Sequence, residues 1–131
     1  MPRKAILCVD DEKIILDSLK LQMKKHFGND YTYEFAQSAE EAWEIIEELE
    51  EDGQEILMVV SDWLMPYVKG DEFLGKVHQE HPEIVKVMLT GQADEDAIER
   101  ARQQANLYRC IAKPWNEDEL VEAIVSGLEQ E

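Results

Sequence analysis

Six side chains that can hold a cation, attack phosphorus or neutralise anionic oxygens fall at four points of the chain: Asp10, Asp11 and Glu12, then Asp62, Thr90 and Lys113. Each point lies just after a short apolar run, at residues 5–9, 56–60, 85–89 and 108–112. Taken singly these residues have bland readings. Asp10 or Asp11 would serve as a helix cap, and Lys113 as an exposed loop cation. Their joint placement needs a different account. Clustered carboxylates repel one another and call for a cation, and an all-oxygen, partly hydrated site suits Mg²⁺. With a cation in place, one of the carboxylates can act as a nucleophile toward phosphorus and form an aspartyl phosphate. Phosphoryl transfer needs mainly positioning and charge neutralisation. Lys113 and the metal would neutralise the phosphoryl oxygens, and the Thr90 hydroxyl would donate to one of them.

The elements that must position this set alternate along the chain. Residues 5–9 are apolar throughout, as expected of a strand buried on both faces. A helix is predicted over residues 12–27, with Ile15, Leu19 and Met23 spaced four apart. Residues 31–36 alternate and read as a more exposed edge strand. Ser38 followed by Glu41 forms a capping box, and the helix it opens carries Ala42, Ile45, Ile46 and Leu49 on one face. Its many glutamates read as a solvated face, and Asp52-Gly53 ends it. A third strand at 56–60 precedes a helix with Phe73, Leu74 and Val77, which stops before Pro82. A fourth strand at 85–89 leads to a helix capped by Asp94, with Ala97, Ile98 and Ala101 inward. A fifth strand at 108–112 and a helix over 115–128 complete the pattern. Strict alternation implies an α/β fold, a doubly wound parallel sheet with helices on both faces. In such a sheet ligands bind beyond the carboxyl ends of the strands, where the six side chains fall.

The chain has 131 residues, the size of one domain, so residues 1–131 are read as a single unit, either standing alone or part of a longer protein. Lys+Arg number 13 against Asp+Glu 30, a net charge of −17. That balance argues against direct binding to nucleic acid or anionic lipid, both of which recruit Lys and Arg. It favours partners with basic faces. Cys8 and Cys110 sit in strand-like runs and read as two small buried thiols. No apolar stretch reaches the length of a membrane span, and the N-terminus lacks the features of a signal peptide, so a cytoplasmic location is expected. His26, His78 and His81 read as surface residues without metal-ligand spacing.

Val9-Asp10-Asp11, Ser61-Asp62-Trp63-Leu64-Met65-Pro66 with Gly70 downstream, Leu89-Thr90-Gly91 and Lys113-Pro114-Trp115 together resemble the receiver domain of two-component response regulators. The resemblance runs from about Lys4 to Leu128. It implies a flavodoxin-like (βα)5 fold with strand order 2-1-3-4-5. It implies that Asp62 is the phosphoacceptor and that Asp10, Asp11, Asp62 and the backbone carbonyl of Leu64 hold Mg²⁺, with Asp11 the main direct ligand of the acidic pair. Thr90 matches the switch hydroxyl and Lys113 the lysine that pairs with the phosphoryl oxygens. Pro114 matches a proline usually preceded by a cis peptide. The resemblance further implies a signalling domain and not an enzyme in its own right. The phosphodonor would be a sensor histidine kinase or a histidine phosphotransfer protein, the target an output domain or effector, and homodimerisation on phosphorylation an open possibility. Lys113-Pro114-Trp115 and Tyr108-Arg109 are similar to receivers attached to signalling enzymes or ATPase-type regulators.

The pattern departs from the family at two places. An aromatic residue usually stands three before the lysine, where this chain has Cys110; Tyr108 shares its facing two residues earlier. Leu64 and Gln92 flank the expected path of attacking water, and a leucine cannot orient water. Trp63, Tyr67 and Trp115 lie near the pocket in sequence and read as packing residues rather than ligand-stacking ones. Three other protein classes share parts of this pattern. A haloacid-dehalogenase-like phosphatase needs a second acid where Leu64 stands. A flavodoxin-like nucleotide binder needs a phosphate loop in place of Asp10-Asp11-Glu12. A pseudo-receiver, working as a phosphorylation-independent interaction module, keeps the fold without the chemistry.

Overall fold

The computed structural model describes residues 4–65, 68–91 and 95–129, with the Ala97 side chain also outside the description. The expected cap at Asp94 and the placements expected for Tyr67, Gln92 and Ala97 therefore lie outside the described residues. Five strands alternate with five helices: β1 Lys4–Val9, α1 Lys13–Phe27, β2 Thr32–Ala36, α2 Ala39–Glu51, β3 Glu55–Asp62, α3 Gly70–Glu80, β4 Val85–Thr90, α4 Glu95–Ala105, β5 Arg109–Ala112 and α5 Glu117–Glu129. The strands form one parallel sheet in the order β2-β1-β3-β4-β5. This is the expected flavodoxin-like arrangement.

Period-two alternation divides the core between the two faces of the sheet. Ala5, Leu7 and Val9 of β1 pack with Ala42, Ile46 and Leu49 of α2, Phe73 and Val77 of α3, and Ala101 and Ala105 of α4. Ile6 and Cys8 face the other way, onto Leu16, Leu19 and Met23 of α1 and Leu120, Ala123 and Ile124 of α5. Because β1, β3 and β4 are covered on both faces, β1 and β3 read as nearly continuous apolar runs, and β4 is interrupted only by the buried Lys86. Edge strand β2 is half-buried from Thr32 to Phe35, so its alternating sequence does not become alternating burial.

Several boundaries and phases differ from the sequence reading. The buried stripe of α1 is Leu16, Leu19 and Met23, with Ile15 at its margin; the 3.6-residue turn prefers steps of three and four over two steps of four. β3 runs on to Asp62 because that residue still pairs with Leu89 of β4. α5 starts at Glu117, since Asn116 caps it: its Oδ1 accepts from the Asp118 amide at 2.8 Å and its carbonyl from the Leu120 amide at 3.0 Å. The Ser38 cap of α2 is as expected, its hydroxyl accepting from the Glu41 amide at 3.1 Å. Both cysteines are free, but Cys110 is only partly buried, in contrast to the expectation of two buried thiols. His26 is exposed, whereas His78 and His81 are half-buried: the ammonium of buried Lys86 donates to His78 Nδ1 at 3.0 Å, and His81 pairs with Glu50 at 2.8 Å. No helix among the described residues is long and apolar enough to cross a membrane.

Candidate metal and phosphoryl site

The sheet delivers its polar residues at adjacent strand ends. Val9 pairs with Ser61, Asp62 with Leu89, and Thr90 with Ala112, so the residues around these pairs meet at one edge. Asp10 leaves β1 fully buried. Its amide donates to the Ala36 carbonyl at 3.0 Å, which ties the turn to β2. Its carboxylate does not cap α1 from the N-cap position, which Glu12 occupies without a side-chain hydrogen bond. Instead Oδ1 accepts from the Glu12 amide at 2.8 Å and Oδ2 from the Lys113 ammonium at 2.8 Å. Lys113 also reaches Asp62 Oδ1 at 3.0 Å, so one ammonium spans two buried carboxylates. Asp11, on the exposed rim, completes the group: one carboxylate oxygen from each of Asp10, Asp11 and Asp62 lies within 4.8 Å of the others.

Three carboxylates against one ammonium leave the cluster negative, and burial makes that expensive. Asp62 responds accordingly. Burial, with Asp10 and Asp11 adding to it, pushes its pKa up to about 6, although Lys113 pulls the other way. Burial alone would lower the Lys113 pKa, but the bonds to Asp10 and Asp62 outweigh it and the net shift is upward. An excess of negative charge on a compact all-oxygen donor set is what a hard divalent cation fits, with water filling the rest of its shell.

The cluster opens into a pocket of about 440 Å³ lined by Asp11, Asp62, Trp63, Leu64, Gly91 and Lys113 among others. Thr90 stands beside it, buried at the end of β4, where its carbonyl accepts from the Lys113 amide at 2.9 Å. Leu64 is half-exposed on the rim. The Lys113-Pro114 peptide is cis. The structure therefore brings Asp10, Asp11, Asp62 and Lys113 into direct proximity, with Thr90 and Leu64 around them. Trp115 does not line the pocket. Its indole N–H donates to Gln22 at 2.9 Å and its ring packs on the α1–α5 side.

Two features of the site rest on residues to which the sequence reading assigned no such contacts. The Gly70 amide donates to the Trp63 carbonyl at 2.8 Å, closing the loop after β3. A Cβ at Gly70 would sit 2.8 Å from Trp63 Cα and closer still to the Asp62 carbonyl oxygen, so only glycine permits this approach. Asp71, next along α3, is buried and pairs with Arg100 of α4 at 3.5 Å. In the sequence Asp71 looks like an ordinary acid in a helix's first turn. Nothing in its neighbourhood along the chain points to Arg100.

Comparison with known proteins gives matches along almost the whole chain. The family model for the response regulator receiver domain matches residues 6–125. The hydrogenase transcriptional regulatory protein HoxA of Cupriavidus necator is 30% identical over 124 residues, covering 95% of this chain and 24% of that protein. The sensor kinase CckA of Brucella abortus is 32% identical over 127 residues, covering 96% of this chain and 13% of that protein. The chain thus spans a quarter or less of the length of these two relatives. Among solved structures, the signal receiver domain of an HD domain-containing protein from Pseudomonas fluorescens superposes with a TM-score of 0.87 at 30% identity, covering 98% of this chain and 96% of that one. The beryllofluoride-activated NtrC4 receiver domain dimer superposes with a TM-score of 0.82 at 25% identity, covering 96% and 97%.

Proposed function

Since the chain belongs to the response regulator receiver family, we propose that it accepts a phosphoryl group from a phosphohistidine donor onto the carboxylate of Asp62. The observation that carries this reading is the Lys113 ammonium held between Asp10 and Asp62, at 2.8 and 3.0 Å, within a cluster that still carries excess negative charge. Receiver domains are signalling domains that generally bind Mg²⁺ in an acidic pocket. Here Asp10, Asp11, Asp62 and the Leu64 backbone carbonyl would hold the ion. When bound, Mg²⁺ supplies the positive charge that lets an anionic phosphoryl group enter a negative pocket.

The chain's own residues do the rest. A carboxylate oxygen of ionised Asp62 attacks phosphorus. The bond from phosphorus to the donor imidazole nitrogen breaks, and that nitrogen keeps the electron pair and takes a proton from solvent. Asp10 holds Lys113 in place through its Oδ2 while Oδ1 is held by the Glu12 amide. As Asp62 becomes an acyl phosphate it loses its charge. Lys113 then turns toward a phosphoryl oxygen, and the Thr90 hydroxyl donates to another. The donor class is a sensor histidine kinase or a histidine phosphotransfer protein, and the modified domain acts on an output domain or effector.

The test is intact mass after incubation with Mg²⁺ and acetyl phosphate or phosphoramidate, beside an Asp62→Asn control and an EDTA control. The expected result is a gain of one phosphoryl mass that needs both Mg²⁺ and Asp62. No gain in folded protein under any condition would favour the pseudo-receiver instead, a reading to which the Cys110 departure lends its weight.

A further inference from the structure

On the opposite flank of α1 from α5, a groove runs between that helix and edge strand β2. Its main cavity, about 710 Å³, is bordered by Lys4, Lys20 and Lys24 and floored by Tyr31, Tyr33 and Phe35. A smaller cavity continues it toward Lys13 and shares Lys20 and Phe35 with the first. The two together follow the whole length of β2. In a chain of net charge −17, all four lysines are exposed, and none makes an ion pair among the described residues. Asp30 stands at one end of the groove and Asp17 and Glu41 toward the other, so the excess of positive charge lies around Lys20 and Lys24.

Strand β2 pairs with β1 along one side and closes the order of the sheet on its other side. Its outer backbone edge is a template for a further strand. The floor is preset, since the Tyr33 hydroxyl donates to the Gly28 carbonyl at 2.9 Å. The two faces of β2 differ in charge. Tyr31, Tyr33 and Phe35 face the α1 side and its lysines. Glu34 points the other way, where burial and Glu48 of α2 raise its pKa.

We propose that this groove takes an extended acidic segment of a partner protein, added beside β2 as a sixth strand, with carboxylates at every second position. Alternate residues of a strand recur every ~6.6 Å, and Lys20 and Lys24, one helical turn apart, recur every ~6 Å. One carboxylate per lysine is therefore in register on the α1 side. Residues between them face Glu34 and Glu48 and are neutral or basic. The inference is independent of chemistry at Asp62, which lies in a different pocket.

The test is amide NMR and fluorescence anisotropy with the peptide Glu-Thr-Glu-Thr-Glu-Thr-Glu-Thr, beside Glu-Glu-Thr-Thr-Glu-Glu-Thr-Thr of the same charge and composition. The alternating peptide is expected to shift the amides of Thr32–Ala36 and to bind about tenfold more tightly than the other, with a similar loss for the Lys20→Glu, Lys24→Glu double variant. N-methylation of alternate peptide amides, tested on the unmodified protein, should weaken binding as much. Equal binding of both peptides, shifts centred outside β2, or no shift with millimolar peptide would each overturn the proposal.

Discussion

Asp62 is costly to the fold before it is useful to it. Its pKa in the folded protein stands at about 6, above the ordinary 3.8, mainly because it is buried. A carboxyl raised in this way binds more protons folded than unfolded, so stability falls as pH rises from about 4 to about 6 and stays reduced above that. In EDTA, Asp62→Asn should remove this loss, leaving the variant more stable at pH 7 by about 1–3 kcal/mol and little changed at pH 4. Urea midpoints of both proteins at the two pH values check this; an equal gap at both would place the effect elsewhere. Leu64 acts at the same scale. It is 51% exposed on the pocket rim, and its side chain offers no polar atom to water approaching the acyl phosphate proposed at Asp62. Once phosphorylated, Leu64→Asn should lose phosphate several-fold faster than the unmodified protein, by roughly 1 kcal/mol of barrier. The decay of phosphoprotein mass with time measures it, and an unchanged rate would remove Leu64 from any role in lifetime.

At the level of elements, the loop between β3 and α3 is held by backbone contact. Gly70 lets the first turn of α3 approach Asp62 and Trp63 closer than any side chain allows. Across that loop the Lys69 ammonium lies over the Trp63 ring at 4.9 Å from its centroid. A methyl at Gly70 would meet backbone, which cannot rotate away, so Gly70→Ala should destabilise by about 2 kcal/mol or more. A urea midpoint unchanged by the substitution would contradict the close approach. The strands themselves were legible because β1, β3 and β4 are apolar enough to be buried on both sides. Helix phase was less so: Ile15 and Leu16 are both apolar, and only the sheet selects Leu16 as the buried one. The start of α5 likewise depended on a cap, Asn116, that competes with the apolar Trp115 just before it.

For the molecule as a whole, a net charge of −17 makes self-repulsion a general cost. Raising NaCl should raise the urea midpoint by screening it. At matched ionic strength Mg²⁺ should raise it further, and Asp11→Ala should abolish that extra part. If Mg²⁺ gives no more than NaCl does, the acidic cluster holds no specific ion. The same charge makes the lysines beside β2, without ion pairs among the described residues, stand out, since the surrounding surface repels the acidic segment that they would attract. The family relation places the chain among receivers, while the chain covers 24% and 13% of the two relatives compared.

Local patterns were enough to determine the parallel α/β sheet, the approximate span of its strands, and the polar residues near their carboxyl ends, because hydrophobic period is a property of short segments. The Ser38 cap and the edge character of β2 were legible for the same reason. Tertiary structure alone decided what those residues do to one another. It placed one ammonium between Asp10 and Asp62, raised Asp62 to about 6, and left Asp11 exposed. It also paired Asp71 with Arg100, and enclosed Lys86 against His78. These outcomes depend on distance and burial between segments far apart in the chain, which residue type and spacing along one segment do not encode.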